Sequence, residues 1–198
     1  DTSANKLMDS AFVDQVEAQI ARSDLVMSVL EIPVEAAVRA MELGQKHGVK
    51  TILNPAPAQT LPPAAFAHID YLTPNETELR ILLGLSPDDA TPTLELAQRL
   101  RGYGVGNLVV TMGADGALIL TEAGVEQVPG VAVEVVDTTG AGDAFNSGLA
   151  VALAEGRPLA EAVRYAACAG AIACTQLGVI PSLGRRAQVD QFYAEHYG

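Results

Sequence analysis

The sequence predicts an α/β fold in which a mostly parallel central sheet is covered by helices on both faces. Short aliphatic runs of strand length alternate with longer amphipathic segments, which is typical of successive β-α-β units. The composition is 49% hydrophobic but only 5% aromatic, so the expected core is aliphatic. Glycine and proline concentrate between these segments, where the chain has to turn.

Each segment is assigned in chain order. The apolar run 24–30 predicts a strand buried on both faces, and Pro33 opens a helix that Gly44 and Gly48 are expected to end. The other predicted strands are 49–53, 69–72, 108–112, 131–136 and a hairpin of 115–121 with 124–128. The other predicted helices are 63–68, 75–83, 93–103, 141–154, 159–174 and 186–197.

Charge and cysteine content exclude several classes of protein. The chain has 24 acidic and 12 basic residues, a formal net charge of −12, and no cluster of Lys and Arg that would follow a nucleic-acid backbone. No apolar run approaches the roughly 18 residues of a membrane span. Cys168 and Cys174 are spaced unlike a metal or redox pair, which favours a reducing compartment. We therefore expect a cytoplasmic protein with no nucleic-acid and no membrane partner.

The segment from Val135 to Asp143, Val-Val-Asp-Thr-Thr-Gly-Ala-Gly-Asp, carries a pattern with chemical meaning. A strand is expected to end there, a threonine to cap the next helix, and Gly140 and Gly142 to let the backbone approach a phosphate. Free N–H groups and the dipole at a helix start favour an anion. Asp143 then fits a base for a hydroxyl that attacks a γ-phosphate, or else an ordinary first-turn acid.

Competing motifs do not fit this segment. A dinucleotide-binding fingerprint would need a third glycine at the position of Phe145, and no Gly-Lys pair exists for a P-loop. A Gly-x-Ser-x-Gly nucleophile elbow is also missing from the sequence. From Gly102 to Gly156 there is no Lys or Arg, so backbone N–H groups and metal cations would have to stabilise negative charge there.

The segment Asp137-Thr-Thr-Gly-Ala-Gly-Asp143 resembles the C-terminal signature of the PfkB family of carbohydrate kinases. Asn54-Pro-Ala-Pro-Ala58 and Thr73-Pro-Asn-Glu-Thr-Glu78 are similar to the ribokinases of that family, and the resemblance runs from about Ser3 to the C-terminus. It implies a Rossmann-like, ribokinase-like fold and an enzyme that uses ATP, Mg²⁺ and K⁺ to phosphorylate the terminal hydroxyl of D-ribose. Fructose, 2-keto-3-deoxygluconate and nucleosides stay open as alternative substrates, and a non-catalytic nucleotide-binding fragment as an alternative of another class.

The resemblance also implies roles for individual positions. Asp143 corresponds to the general base that contacts the substrate hydroxyl, and Glu31 to a glutamate that contacts the sugar. The implied anion hole consists of Gly140, Ala141 and Gly142. The implied nucleotide contacts are Asn75, Thr111, Gly113, Ala114, Asp115, Gly116, Gly142 and Ala167. The implied metal ligands are Glu78 for Mg²⁺ and, for K⁺, Asp137, Thr139, Ala173, Gln176, Gly178 and Ser182.

Without the resemblance, several of these residues have simpler explanations. Asn75 and Glu78 have the spacing of a helix capping box, which is compatible with binding ATP. Glu31 could be an exposed acid at a strand end, and Gly113 and Gly116 could serve a hairpin turn.

Compared with the family, the N-terminal part is expected to be missing, since the chain starts at Asp1-Thr2-Ser3 without a methionine. That part would supply the first core strands, a Gly-Gly sugar clamp and the β-lid that also forms a homodimer. We therefore expect residues 1–198 to form a nucleotide-binding and catalytic α/β core that is incomplete at its N-terminus and that, by itself, lacks most of the sugar site and is a poor enzyme.

Overall fold

The computed structural model describes residues 4–198, so the start at Asp1-Thr2-Ser3 lies outside the described residues. The strands are β1 (Leu25–Val29), β2 (Lys50–Asn54), β3 (Tyr71–Leu72), β4 (Asn107–Thr111), β5 (Ala117–Thr121) and β6 (Gly124–Val128). The α-helices are α1 (Ser10–Gln15), α2 (Glu17–Ile20), α3 (Val34–Lys46), α4 (Glu76–Leu82), α5 (Thr93–Arg101), α6 (Ala141–Ala154), α7 (Leu159–Ala173), α8 (Val179–Ser182) and α9 (Arg186–Tyr197). Short 3₁₀ helices occur at Asn5–Leu7, Pro63–His68 and Gly113–Asp115.

The strands form one sheet in the order β1-β2-β3-β4-β5-β6. The first four are parallel to one another, with Leu25 opposite Lys50 and Leu72 opposite both Leu53 and Leu108. Each parallel neighbour is reached through a crossover, whereas β5 and β6 follow β4 through connections short enough for hairpins. The predicted α/β fold with a mostly parallel sheet is therefore confirmed.

The chain divides into two compact units. Unit 1 comprises the residues up to Thr111 together with Leu118–Val125, and unit 2 comprises Met112–Ala117 together with Glu126–Gly198. Unit 1 therefore contains α1 to α5 and the parallel strands, and unit 2 contains α6 to α9. Within residues 4–198, the helices are all too short or too polar to cross a lipid bilayer.

The core of unit 1 is built where α3 packs beside the first two strands. Ala36 and Leu43 of α3 are fully buried and form one apolar cluster with Val13 and Ile20 of the two preceding helices. Gly44 is buried inside α3 and does not end it, contrary to the sequence-based expectation. The helix stops two residues after Gly44, and the left-handed φ of 68° at Gly48 follows.

Two other local predictions are wrong. β1 is not buried on both faces, because it is the edge strand of the sheet and Met27 is 41% exposed. Residues 131–136 form no strand, although valine favours one. Val136 donates its N–H to the carbonyl of Cys174, beyond the end of α7, at 2.8 Å, so this backbone is satisfied by a helix end rather than by a neighbouring strand.

We expect the substitution Gly44→Ala to destabilise unit 1, although alanine favours a helix over glycine by about 0.5–1 kcal/mol. A Cβ at this position would lie 2.5 Å from Thr51 Cγ2 and 2.8 Å from Val26 Cγ1. Such overpacking typically costs about 1–3 kcal/mol, which outweighs the helix preference. Urea unfolding followed by circular dichroism measures the difference. Gln45→Ala, at the next and exposed position, is the control and should change stability by less than about 0.5 kcal/mol; a Gly44→Ala protein as stable as the parent would contradict the packing.

Candidate active site

The start of α6 is shaped by Gly140. This residue is the N-cap of the helix and has a left-handed backbone with φ of 81°, which only glycine adopts at little cost. A Cβ on it would also lie 2.9 Å from Cγ1 of Val179, so the position requires glycine on two counts. The expectation that a threonine caps α6 is wrong, because no side chain caps this helix and Thr139 donates its hydroxyl to Asp137 instead.

The first turn of α6 presents free N–H groups beside a carboxylate. The N–H of Ala141 donates to the carbonyl of Thr138 at 3.2 Å. Within residues 4–198, the N–H groups of Gly142 and Asp143 have no hydrogen-bond partner, and both residues are exposed. The dipole of this 14-residue helix adds partial positive charge at the same place. The turn can therefore bind an anion, and Asp143 offers a proton acceptor in the same turn.

The Asp137 carboxylate ties the loop before α6 to the loop after α7. Its Oδ1 accepts hydrogen bonds from the Thr139 hydroxyl at 2.7 Å and the Thr139 N–H at 3.0 Å. Its Oδ2 accepts from the Gly178 N–H at 3.1 Å. These hydrogen bonds hold the pKa of Asp137 below its ordinary value, and the bond from the Thr139 hydroxyl has the largest effect. The carboxylate is therefore ionised at neutral pH.

Most residues of the implied potassium site come together around this carboxylate. Besides Asp137 and Thr139, Gly178 belongs to the group, and its carbonyl accepts the N–H of Ser182, which is buried. Ala173 ends α7 one residue before Cys174, whose carbonyl accepts the N–H groups of Val136 and Asp137. Gln176 is exposed and forms no hydrogen bond to this group in the described chain.

Two contributors to this group were not found from the sequence. Cys174 takes part through its backbone carbonyl, which leaves no trace in the type of side chain. Val179 packs on Gly140, and the only sequence signal for that contact was the lack of a side chain at residue 140. In the described part of the chain, no group of three or more His, Cys, Asp or Glu side chains could hold a metal ion. A cation held here would therefore depend on carbonyl and hydroxyl oxygens around one carboxylate, which suits a hard ion.

Close packing of α6 against α7 holds the first turn of α6 in place. Gly148 of α6 lies so near α7 that a Cβ would be 3.1 Å from the Cα of Ala166. Gly170 of α7 lies under the start of α6, where a Cβ would be 3.2 Å from the carbonyl oxygen of Ala141. Ala167 is half-buried on α7, within this glycine- and alanine-rich stretch.

The implied nucleotide loop is a tight turn in unit 2. Gly113 and Gly116 both have positive φ, 56° and 89°, and the Met112 N–H donates to the carbonyl of Gly116 at 2.8 Å. The turn explanation of the two glycines is therefore confirmed. Between them, Ala114 and Asp115 are exposed. The carbonyl of Ala114 packs on Gly130, and the carbonyl of Asp115 accepts a hydrogen bond from Gln127 Nε2 at 3.4 Å.

In unit 1, the start of α4 brings together three of the predicted residues. Asn75 and Glu78 form the predicted capping box, in which each side chain accepts the other's N–H at 2.8 Å. Thr111 joins them because its N–H donates to the carbonyl of Pro74 at 2.9 Å. Burial raises the pKa of Glu78, while the hydrogen bond from the Asn75 N–H opposes that shift. A partly desolvated carboxylate of this kind gains stability from a nearby cation.

The remaining predicted residue, Glu31, lies two residues after the end of β1 and is exposed. Leu30, just before it, is buried, and both of its backbone groups are hydrogen-bonded by the loop after β2. The backbone that carries Glu31 is therefore fixed while its side chain is free to reach a ligand.

Comparisons with known proteins agree on one family. The model of the pfkB family of carbohydrate kinases matches residues 3–185. Ribokinase of Haemophilus influenzae is 37% identical over 189 residues, which cover 96% of this chain and 62% of that protein. Ribokinase from Thermotoga maritima has a similar structure, with a TM-score of 0.86 and 33% identity over 96% of this chain and 63% of its own. Arabidopsis thaliana ribokinase complexed with ribose and ATP gives a TM-score of 0.84 and 30% identity over 91% of this chain and 59% of its own. The chain thus spans 59–63% of the length of these relatives.

We expect Thr139→Ala to raise the pKa of Asp137 toward its ordinary value, because the Thr139 hydroxyl is the main cause of the lowered pKa. Carbon-detected NMR titration of the carboxyl group measures the pKa. Because the pKa is lowered in the folded state, the ionised carboxylate stabilises the fold above its unfolded pKa, and this stabilisation is lost as the pH falls through the folded value. Thr138→Ala changes an exposed neighbour and is the control; equal shifts in the two variants would refute the assignment.

Proposed function

The chain belongs to the pfkB family of carbohydrate kinases, and we propose that it is the phosphoryl-transfer core of an ATP-dependent ribokinase. In this proposal, the γ-phosphate of ATP is transferred to the terminal hydroxyl of D-ribose. Support for the substrate comes from the three relatives named above, which are ribokinases, one of them solved with ribose and ATP. For the whole protein we also propose a homodimer, an expectation that rests on the family resemblance.

The observation that carries the proposal is the first turn of α6. An exposed carboxylate, Asp143, shares this turn with the unpartnered N–H groups of Gly142 and Asp143. A carboxylate repels a phosphate that merely binds there, so its placement is explained best by a chemical role. Asp143 accepts the proton of the sugar hydroxyl while the hydroxyl oxygen forms a bond to the γ-phosphorus. The bond from the γ-phosphorus to the bridging oxygen breaks, ADP leaves with that electron pair, and Asp143 releases the proton to solvent.

The anion hole stabilises the charge that develops on the transferred group. In this proposal it comprises the backbone of Gly140, Ala141 and Gly142, with the free N–H groups of Gly142 and Asp143 as its donors. Donors fixed in advance by the left-handed Gly140 cost no reorganisation when the charge appears. The lack of any Lys or Arg from Gly102 to Gly156 makes these N–H groups more important.

For the nucleotide, we assign the contacts that the family resemblance implies. These are Asn75 and Thr111, which bind ATP in this proposal, and the 113–116 turn and Ala167, which border the nucleotide. Glu78 orients Mg²⁺ through its water shell, because Mg²⁺ retains several waters and uses few carboxylates. The raised pKa of Glu78 and the lack of a partner for its Oε1 in the described residues support this role. Glu31 contacts the sugar.

The group around Asp137 fits K⁺. Its ligands in this proposal are Asp137, Thr139, Ala173, Gln176, Gly178 and Ser182, mostly through backbone carbonyls. The oxygen-only donors and the ionised carboxylate support the choice of a hard monovalent cation. When bound, K⁺ supplies fixed positive charge beside an anion hole that has no basic side chain of its own.

We expect Asp143→Asn to lower kcat by roughly 10²–10⁴-fold, because asparagine cannot accept the hydroxyl proton. Affinity for ATP and stability should change little, since the side chain is exposed. The assay is run on the whole protein and measures ADP release with D-ribose, D-fructose and 2-keto-3-deoxygluconate in turn, with the binding of a non-hydrolysable ATP analogue measured in parallel. Glu122→Gln, an exposed acid in the β5–β6 turn, is the control. If the variant keeps more than about a tenth of the parent kcat, Asp143 is not the general base. A parent protein that binds nucleotide but phosphorylates no sugar would favour the non-catalytic alternative.

Activity should depend on K⁺. Replacing potassium chloride by tetramethylammonium chloride at constant ionic strength and constant Mg²⁺ should lower kcat by at least about tenfold, because a cation beside developing charge is worth several kcal/mol. Asp137→Asn should raise the K⁺ concentration needed for half-maximal activity. Equal rates in the two salts would exclude the K⁺ site.

A further inference from the structure

We propose that residues 54–59, the loop that follows β2 and is called here the β2 brace, position the candidate binding residues at the ends of both neighbouring strands. Asn54 and Gln59 are the positioning residues in this proposal. Asn54 fixes the backbone that carries Asn75 and Glu78, and Gln59 fixes the backbone that carries Glu31. The consequence for binding rests on the proposed function, whereas the positioning itself can be tested without it.

The Asn54 arm of the brace reaches the end of β3. Asn54 is the last residue of β2 and is only 8% exposed. Its Nδ2 donates to the carbonyl of Thr73 at 2.9 Å, while the N–H of Thr73 donates to the carbonyl of Leu53 at 3.0 Å. Both backbone groups of Thr73 are therefore held by β2. The carbonyl is held by a side chain, because the backbone pairing of β2 with β3 has ended before this residue.

This contact controls where α4 starts. Pro74 follows Thr73, has no N–H group and has a φ fixed near −65°, so the orientation of the Thr73 carbonyl largely decides the path of the chain. The Pro74 carbonyl then accepts the Thr111 N–H at 2.9 Å, and Asn75 opens the capping box with Glu78. The segment from Thr73 to Asn75 is thus held by Asn54 at one end and by Thr111 at the other.

The Gln59 arm reaches the end of β1. Gln59 Nε2 donates to the carbonyl of Leu30 at 2.8 Å, and the N–H of Leu30 donates to the carbonyl of Ala56 at 2.9 Å. Leu30 is 1% exposed and directly precedes Glu31. The brace therefore satisfies both backbone groups of the residue that determines where Glu31 projects.

A purely structural role for Asn54 is the alternative, because loss of any buried hydrogen bond destabilises a protein. Thr51, at the other end of β2, provides a matched control. It is fully buried, its hydroxyl donates to the carbonyl of His68 at 2.9 Å, and it accepts the Asp70 N–H at 2.8 Å. Thr51 thus ties β2 to the segment before β3 in the same way, but its hydrogen bonds end at Asp70, before β3, whereas those of Asn54 reach Thr73, which follows β3 and precedes α4.

The first experiment measures amide hydrogen exchange in Asn54→Leu, which has nearly the same size but no donor, in the milder Asn54→Ser, and in Thr51→Val. Loss of one hydrogen bond corresponds to about a 3–10-fold change in an equilibrium. In both Asn54 variants, the protection of the Thr111 and Glu78 amides should fall by about that factor. In Thr51→Val, the protection of these two amides should stay unchanged, even if the melting temperature falls as much as in the Asn54 variants. Unchanged protection in the Asn54 variants, or an equal loss in Thr51→Val, overturns the proposal.

The Gln59 arm is tested in the same way with Gln59→Leu and Gln59→Asn. Both variants should increase exchange of the Leu30 amide by about 3–10-fold and leave the Thr111 amide unchanged, because the two arms hold different strand ends. Equal effects on both amides would mean that the loop acts as one structural element rather than as two positioning contacts.

The second experiment titrates the same proteins with a non-hydrolysable ATP analogue and Mg²⁺. Asn54→Ser should weaken binding by about 3–10-fold, and Thr51→Val should leave it within about twofold. Full affinity in Asn54→Ser would overturn the part of the proposal that concerns binding. If the parent chain binds no nucleotide, the proposed function fails, and the exchange measurements still decide whether Asn54 and Gln59 position the strand ends.

Discussion

The arrangement of the candidate site in unit 2 depends on the ionised carboxylate of Asp137. In a stretch of the chain without Lys or Arg, this charge is compensated by the hydroxyl and N–H of Thr139 and by the N–H of Gly178. The bond to Gly178 spans 41 positions of sequence and connects the loop before α6 to the loop after α7. The Asp137 carboxylate accepts all of these hydrogen bonds from groups outside α6. It therefore does not cap the helix, and the N–H groups at the start of α6 stay available for an anion.

The start of α6 is suited to bind a ligand because some of its backbone N–H groups have no hydrogen-bond partner among the described residues. A side-chain cap would normally occupy the N–H of the second or third helical residue. Here Gly140 takes the cap position with a left-handed backbone, and the two threonines before it leave the helix N–H groups uncapped. The helix therefore gives up the stabilisation of a cap, and keeps Gly142 and Asp143 able to donate to a ligand. Unfavourable local choices of this kind are expected where function requires them.

The sequence was most informative where local chemistry decides the structure. The capping box from Asn75 to Glu78 and the bounds of α6 and α9 depend on neighbouring residues, and the structure confirms them. The valine-rich segment 131–136 was misassigned because strand formation depends on a pairing partner, and its backbone instead bonds to Cys174. Residues that act through backbone groups could not be found from side-chain types. The roles implied for all the site residues, Glu31, Ala167 and Gln176 among them, remain predictions, since geometry alone does not test them.

Both units place their candidate residues by the same physical means. Regular helices and strands provide rigid frames, and most candidate residues lie at or just beyond the end of such a frame, where the regular backbone hydrogen bonding ends. Polar side chains then replace the missing ladder bonds, Asn54 and Gln59 in unit 1 and Asp137 in unit 2. Phosphoryl transfer depends mainly on positioning and on preorganised charge, and a displacement of about 1 Å can cost roughly 10²-fold in rate. Side-chain amides and carboxylates that donate or accept in one geometry only are suited to that tolerance, because a shift of the loop breaks the hydrogen bond and leaves a polar group unsatisfied.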